Sequence, residues 1–231
     1  MEALHATGKP VIVILINGRP LTINWAAKYA PAILEAWFPS ASGGKAIAET
    51  IFGDYNPGGK LSVTFPKSIG QLELSFPYKP GSHANQPSTG DNGFGKTRVN
   101  GVLYPFGHGL SYTTFQYSNL QVTPKKQNIK GQVEVAVDIT NSGKVKGEEV
   151  VQLYFKDKLS SVIVYDTQLR GFERISLLPG EKKTVQFIIK PEHLELLNRQ
   201  MQPEVEPGEF EVLIGSSSED IRLKEIFLME K

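Results

Sequence analysis

The pattern of apolar and polar positions changes character near residue 115. Before that point, short apolar runs alternate with stretches of helical spacing, and glycine or proline separates them. After it, apolar residues alternate with polar ones in short runs, as they do in half-buried strands. With 231 residues, the chain is long enough for two domains. The pattern therefore predicts an α/β domain over residues 1–115 and an all-β domain over residues 116–231.

The first domain is predicted to begin with a strand that is buried on both faces. Residues 10–16, PVIVILI, are apolar without polar alternation, which is typical of a parallel sheet covered by helices. The elements predicted after it are a helix over 22–29, a strand over 33–38, a helix that opens at Gly43-Gly44 and ends at Gly53, and a strand over 60–65. This βαβαβ order predicts three parallel strands with crossover helices.

The second domain reads as about seven short strands separated by turn signals. Asn141-Ser142-Gly143 and Pro179-Gly180 are two of those turns. The predicted strands cover residues 133–139, 151–155, 162–168, 169–175, 185–189, 210–214 and 221–227. Such a series is typical of a two-sheet sandwich of the immunoglobulin or fibronectin type III kind. Because the chain has no cysteine, the disulfide-linked antibody variant is excluded.

Residues 104–115, YPFGHGLSYTTF, lie where the two patterns meet. The segment combines Gly107 and Gly109 with four aromatic residues. Glycine permits backbone conformations that other residues resist, and the aromatic side chains are expected to pack at a junction. The segment is therefore predicted to be the hinge between the two domains, without a flexible linker.

Composition excludes several classes of function. The formal net charge is +1, so no overall field favours nucleic acid or an anionic membrane as a partner. The absence of cysteine removes disulfides, thiolate zinc sites and cysteine nucleophiles. The longest apolar run, residues 11–16, is too short to span a bilayer, and the first residues do not have the pattern of a signal peptide. Both the cytoplasm and an envelope compartment remain open.

The titratable residues do not form an obvious catalytic or metal-binding motif. The four histidines are isolated in the sequence, so neither a metal site nor a cofactor is expected. Glu35 and Glu49 fall within regular elements, whereas Glu148 and Glu149 precede a predicted strand and are expected to lie in solvent.

Asp91, Phe94 and Arg98 are the candidate substrate-binding residues. They lie close together within residues 66–103, a long stretch rich in Pro, Gly, Ser, Asn and Asp. A sugar site uses an aromatic face for the ring and a carboxylate and a guanidinium for the hydroxyls. Residues 90–93, Gly-Asp-Asn-Gly, also fit a solvated turn. Both interpretations remain open, as does a solvated insertion for the stretch as a whole.

Several segments, in the same order, resemble the C-terminal half of family 3 glycoside hydrolases, the family of β-glucosidases and β-xylosidases. They are AWFP at 36–39, residues 43–66, residues 103–115, GEEVVQLY at 147–154, LRGFER at 169–174, and residues 207–221. The resemblance implies the end of an α/β sandwich domain followed by a fibronectin type III-like domain. A local departure is Ser-Ala-Ser-Gly at 40–43, where the family often has Gly-Gln/Glu-Gly-Gly.

The resemblance implies retaining hydrolysis by two carboxylates, a nucleophile and an acid/base. In the family, the nucleophile belongs to an N-terminal (β/α)8 barrel, and the acid/base lies upstream of the stretch that resembles residues 8–15. No residue of this chain inherits either role. The chain alone is therefore expected to be inactive and to act on a carbohydrate only within a longer parent protein. The alternative is a non-catalytic module that binds carbohydrate or a partner.

An incomplete parallel sheet has a physical consequence as well. It exposes apolar surface and a strand edge without a neighbour. We therefore expect the first half of the chain to be less stable than the sandwich, or to be completed by the missing barrel region in the same or another chain, or by homodimerisation.

Overall fold

The computed structural model describes residues 1–71, 75–80 and 101–231, and these form two compact units. The described part of the first unit comprises residues 1–55, 63–71, 75 and 101–105. That of the second comprises residues 56–62, 76–80 and 106–231. No helix in these ranges is long and apolar enough to cross a bilayer.

The first unit is built on a two-stranded parallel sheet. Its elements are α1 (Glu2–His5), β1 (Ile12–Leu15), α2 (Asn24–Tyr29), β2 (Ala32–Glu35) and α3 (Gly43–Phe52). The register runs from Ile12 opposite Ala32 to Leu15 opposite Glu35. Gly53 ends α3 in a left-handed conformation at φ 85°, which glycine adopts without a steric penalty. The predicted order of strands and helices through α3 is confirmed, although β1 and β2 are shorter than expected.

The predicted third parallel strand over residues 60–65 is wrong. Phe65 forms only an isolated antiparallel bridge with Tyr104, to which its backbone N–H donates at 2.8 Å. Leu61 exchanges backbone hydrogen bonds with Gly107 and His108. The apolar run 60–65 therefore finds its backbone partners in the later segment 103–108, and not in a parallel neighbour.

One face of β1 is exposed, which contradicts the prediction of burial on both faces. Ile12, Ile14 and the following Ile16 are 46%, 39% and 60% exposed. In the described residues β1 pairs with β2 alone, so its other edge has no strand beside it. An incomplete sheet is expected to leave apolar surface uncovered in this way.

The second unit contains two antiparallel sheets and a hydrophobic core. Its strands are β3 (Phe115–Thr123), β4 (Lys126–Asn128), β5 (Val133–Asn141), β6 (Gly147–Asp157), β7 (Gln168–Leu177), β8 (Lys182–Ile189), β9 (Leu196–Leu197), β10 (Pro203–Glu204), β11 (Gly208–Gly215) and β12 (Ile221–Glu230), with helix α4 (Pro191–Leu194) after β8. One sheet has the order β4-β12-β11-β6-β7 and the other β3-β5-β8, with only β4 and β12 parallel. A further short pair joins β9 to β10.

The alternating residues of the second unit form its core, as predicted. Val133, Val135, Val137 and Ile139 on β5 are fully buried. They pack in one cluster with apolar residues of both sheets, among them Leu153, Phe155, Val212 and Phe227. The combination of a parallel α/β unit and a fibronectin-like β-sandwich confirms the predicted fold class.

Several details of the predicted sandwich are wrong, among them the absence from it of the short strands β4, β9 and β10. The prediction missed β3, in which a register shift between Ser118 and Gln121 interrupts the alternation and Asn119 takes a left-handed φ of 53°. The strand predicted over 162–168 is a loop up to Gln168, where β7 begins. Within that stretch, the backbone N–H of Asp166 donates to the carbonyl of Tyr78 at 3.0 Å, and Tyr78 belongs to no strand of the two sheets.

Candidate functional site

The residues that the sequence suggested for sugar binding cannot be placed. Asp91, Phe94 and Arg98 lie within residues 81–100, outside the ranges that the structure describes. Their role therefore stays a prediction. Within the described ranges, no three His, Asp or Glu residues form a group that could hold a metal ion.

The carboxyl ends of β1 and β2 bring a polar and aromatic group of residues together in the first unit. Leu15 and Glu35 form the last pair of the parallel register, and Asn17 and Trp37 each follow two residues later. In open α/β sheets, ligands bind in the crevice beyond the carboxyl ends of the strands. This edge of the sheet is therefore the candidate site of the first unit.

The Glu35 carboxylate connects the loops that follow the two strands. Its Oε1 accepts a hydrogen bond from the backbone N–H of Trp37 at 2.9 Å, and its Oε2 accepts from Asn17 Nδ2 at 3.4 Å. Asn17 Oδ1 accepts in turn from the backbone N–H of Arg19 at 3.1 Å. Throughout the described ranges, Glu35 has no cationic partner at salt-bridge distance. A carboxylate has about four acceptor positions, so half-buried Glu35 retains capacity for further donors.

Two aromatic residues, Trp37 and Phe38, follow this carboxylate in the chain after β2. Trp37 has a left-handed φ of 52°, which is unfavourable for a bulky residue and marks a strained position. Its ring centroid lies 6.1 Å from that of Phe65, which is 1% exposed. Phe38 is 77% exposed, and its ring edge lies so close to Gly18 that a Cβ there would fall 2.5 Å from Phe38 Cε2. The Trp37 ring thus lies near the buried Phe65, whereas most of Phe38 lies in solvent.

A cavity of about 430 Å³ opens in the first unit beside the loop that follows β1. Its lining is mainly apolar and includes Leu21, Ile69 and Val102. Among the described residues that line it, Arg19 alone carries a charge. The volume lies in the range typical of small-molecule sites.

The predicted strand over residues 33–38 conceals this edge. The structure ends that strand at Glu35. A usable signal was present, since Asn17-Gly18 and Pro39 directly follow two predicted parallel strands. Residues in that position of a parallel sheet belong to its carboxyl edge.

Glu149, expected to lie in solvent, is buried within β6 of the second unit. Its side chain is 4% exposed and lies 3.3 Å from Lys60 Nζ, whose side chain is 11% exposed. Tyr117 donates its hydroxyl hydrogen bond to Glu149 Oε1 at 2.7 Å. Burial and the neighbouring Glu149 carboxylate raise the pKa of Tyr117, which therefore remains protonated as a donor. A buried carboxylate is tolerated when it is paired and hydrogen-bonded in this way.

Comparisons with known proteins give consistent results for both units. The sequence pattern of the glycosyl hydrolase family 3 C-terminal domain matches residues 1–112, and that of the fibronectin type III-like domain matches residues 149–218. A β-xylosidase of Formosa agariphila is 47% identical over all of this chain, which covers 31% of that relative. A periplasmic β-glucosidase of Salmonella typhimurium is 43% identical over 96% of this chain, which covers 29% of it.

The fold is also similar to that of solved β-glucosidases. The structure of a β-glucosidase from Listeria innocua in complex with glucose superposes with a TM-score of 0.90 and 32% identity, over 100% of this chain and 32% of that one. A β-glucosidase from Erythrobacter marinus gives a TM-score of 0.90 at 37% identity, over 99% of this chain and 29% of that one. The present chain thus spans about three tenths of the length of these relatives.

Proposed function

Because the chain belongs to glycosyl hydrolase family 3, of which it carries the C-terminal region, we propose that it is the C-terminal portion of a retaining β-glycosidase that hydrolyses terminal β-linked sugars. The observation that carries this proposal is the near-complete alignment of the chain, at 43–47% identity, with proteins named β-xylosidase and β-glucosidase. Both domains of the chain take part in the match, in the same order.

Retaining hydrolysis requires two carboxyl groups about 5–5.5 Å apart, one as nucleophile and one as acid/base. The carboxylates of Glu149 and Glu35 support a different role. Glu149 forms an ion pair with Lys60 and accepts a hydrogen bond from Tyr117. Glu35 accepts hydrogen bonds from the loops that follow β1 and β2. We therefore assign the nucleophile and the acid/base to the preceding part of the parent protein, as the family resemblance implies, and expect the 231-residue chain alone to be inactive.

In this proposal, the first unit contributes a wall of the sugar site through the carboxyl edge of its parallel sheet. The sandwich contributes a rigid accessory domain. The barrel that would complete the site belongs to the same polypeptide or to another chain. The exposed face of β1 supports such completion, because Ile12, Ile14 and Ile16 are left in solvent.

The test compares the purified 231-residue chain with the parent polypeptide expressed from the in-frame upstream coding sequence. Aryl β-glucosides and β-xylosides are the probes. We expect the parent to release the aryl alcohol. The 231-residue chain alone is expected to release it no faster than buffer without protein. Turnover by the chain alone would refute its inactivity. Proton NMR of the first sugar anomer released by the parent tests retention, and an inverted product would refute the retaining mechanism.

A second candidate is a non-catalytic module for carbohydrate or partner binding. The exposed Phe38, three residues after the Glu35 carboxylate at the same sheet edge, favours it, because sugar-binding proteins combine such groups. Calorimetry of the chain with β-linked oligosaccharides separates the candidates when the parent is also assayed. Binding without hydrolysis by the parent would favour the module.

A further inference from the structure

We propose that Glu35 and Phe38 form a binding subsite for a neutral pyranose at the carboxyl edge of β1 and β2. The inference rests on the proposed function and deepens it, because it assigns residues of this chain to a sugar. In this arrangement, the Phe38 ring stacks on the apolar face of the sugar and the Glu35 carboxylate accepts hydrogen bonds from its hydroxyl groups.

The Glu35 carboxylate has free acceptor positions. The hydrogen bond from Trp37 N to Oε1 is short, at 2.9 Å, but the bond from Asn17 Nδ2 to Oε2 is long, at 3.4 Å. Two of about four acceptor positions are therefore used, one of them weakly. Adjacent hydroxyl groups of a sugar can donate to the two remaining positions, and hydrogen bonds to an ionised acceptor are among the stronger ones.

The Phe38 ring is largely exposed. A phenyl ring that is 77% exposed gains free energy when a ligand covers it. Its edge lies over Gly18, where the lack of a Cβ permits the approach, and its remaining surface faces solvent. An aromatic face of this kind suits the apolar face of a pyranose.

A hydrogen-bonded turn connects Glu35 with Phe38. The carboxylate of Glu35 accepts from the N–H of Trp37, which has the left-handed φ of 52°. Glu35 and Phe38 are thus connected by a turn that the carboxylate itself holds, and strained positions of this kind cluster at ligand sites. If Glu35 only held this turn, its bond from Trp37 would be explained. The exposed Phe38 ring and the free acceptor positions of Glu35 are the additional features that a sugar would use.

The electrostatics favour a neutral sugar. Within the described part of the chain, no salt-bridge partner neutralises Glu35. A uronic acid would place a second negative charge near this carboxylate at an energetic cost. Glucose- and xylose-type rings have no such charge.

The test is an NMR titration of the 231-residue chain with methyl β-D-glucopyranoside and methyl β-D-xylopyranoside. The chain has two tryptophans, Trp25 and Trp37, whose indole N–H signals are assigned with a Trp25→Phe variant. We expect the Trp37 signal to shift saturably in the millimolar range. Trp25, which lies on α2 and contacts His5 and Tyr29, is expected not to shift.

Two variants and a matched control decide the outcome. Phe38→Ala and Glu35→Gln are each expected to weaken binding roughly tenfold. Phe172→Ala, at another exposed phenylalanine (65%) in the second unit, is expected to leave binding unchanged. The lack of a saturable Trp37 shift, or unchanged affinity in Phe38→Ala, would overturn the subsite. Phe38 is exposed, so this variant remains informative even if Glu35→Gln unfolds. Hydrolysis by the parent combined with a negative titration would refute the subsite and leave the proposed function standing.

Discussion

Lys60 and Glu149 form a buried ion pair between residues 89 positions apart in the sequence. The short segment 56–62 places the lysine against β6 within the second unit. Lys60 Nζ also donates to the backbone carbonyl of Gly109 at 3.3 Å. The ammonium group therefore connects its own segment with two others. The pair thereby joins residues far apart in sequence in one polar contact.

Glu149→Ala is expected to destabilise the second unit by about 3–5 kcal/mol, because it leaves the Lys60 ammonium buried without a carboxylate to neutralise it. Tyr117 loses its acceptor in the same variant. Urea unfolding followed by circular dichroism measures the change. Glu148→Ala is the matched control, since its ion pair with Arg174 is exposed and is worth about 0–1 kcal/mol. Equal losses in both variants would contradict the buried pair as a stabilising contact.

Asp138 on β5 is expected to make the stability of the sandwich depend on acid. Its carboxylate accepts hydrogen bonds from the side chains of Thr184, Asn119 and Lys182, which lower its pKa to about 2. An unfolded aspartate has a pKa near 3.9. The stabilisation is therefore complete above pH of about 4 and is lost as the pH falls through about 2.

Asp138→Asn is expected to flatten the dependence of the urea midpoint on pH between about 4 and 2. Thr184→Val removes the largest single contribution to the lowered pKa and is expected to raise the titration midpoint of Asp138 in an NMR titration. A midpoint unchanged by Thr184→Val would show that this hydroxyl does not set the pKa.

Gly107→Ala is expected to destabilise the second unit more than Gly180→Ala. Both glycines have a left-handed backbone, at φ 81° and 75°, so both substitutions carry a similar conformational cost of about 1–2 kcal/mol. A Cβ at Gly107 would also collide with the side-chain amide of Gln152, whereas none of the described atoms lies within 4 Å of a Cβ at Gly180. Gln152 Nε2 is held by the Gly107 and Ser216 carbonyls, which limits its movement. Thermal melts of both variants measure the difference, and a Gly107→Ala loss no larger than that of Gly180→Ala would contradict the packing argument.

Amide hydrogen exchange is expected to be faster in β1 and β2 than in β5 and β6. β1 and β2 are four-residue strands with partly exposed side chains, while β5 lies between two neighbours with four fully buried residues. Few buried contacts lower the free energy of local opening. Mass spectrometry of peptides from each strand measures the rates, and sedimentation of the same sample determines its oligomeric state. Equally slow exchange in a monomer would contradict the expectation, whereas slow exchange in a dimer would support completion of the sheet by a second copy.

The sequence determined those parts of the fold that depend on local patterns. The alternation of Val133, Val135, Val137 and Ile139 was sufficient to identify a core strand, because side chains of a strand point to opposite faces with a period of two. Gly53 marked the end of α3 for an equally local reason, its left-handed conformation. The ordered motifs of residues 36–66 and 103–115 identified the family, which the matches to both domains confirmed.

Only the tertiary structure decided which residues lie opposite one another when they are far apart in the chain. Glu149 was expected in solvent because it precedes the predicted strand over 151–155, but its partners Lys60 and Tyr117 lie 89 and 32 positions away. The backbone partners of Leu61 and Phe65 were equally distant. The edge containing Glu35 and Phe38 exists because β1 and β2 pair in parallel and end together. Local propensity is a property of neighbouring residues, whereas burial and pairing depend on contacts that form only when distant segments meet.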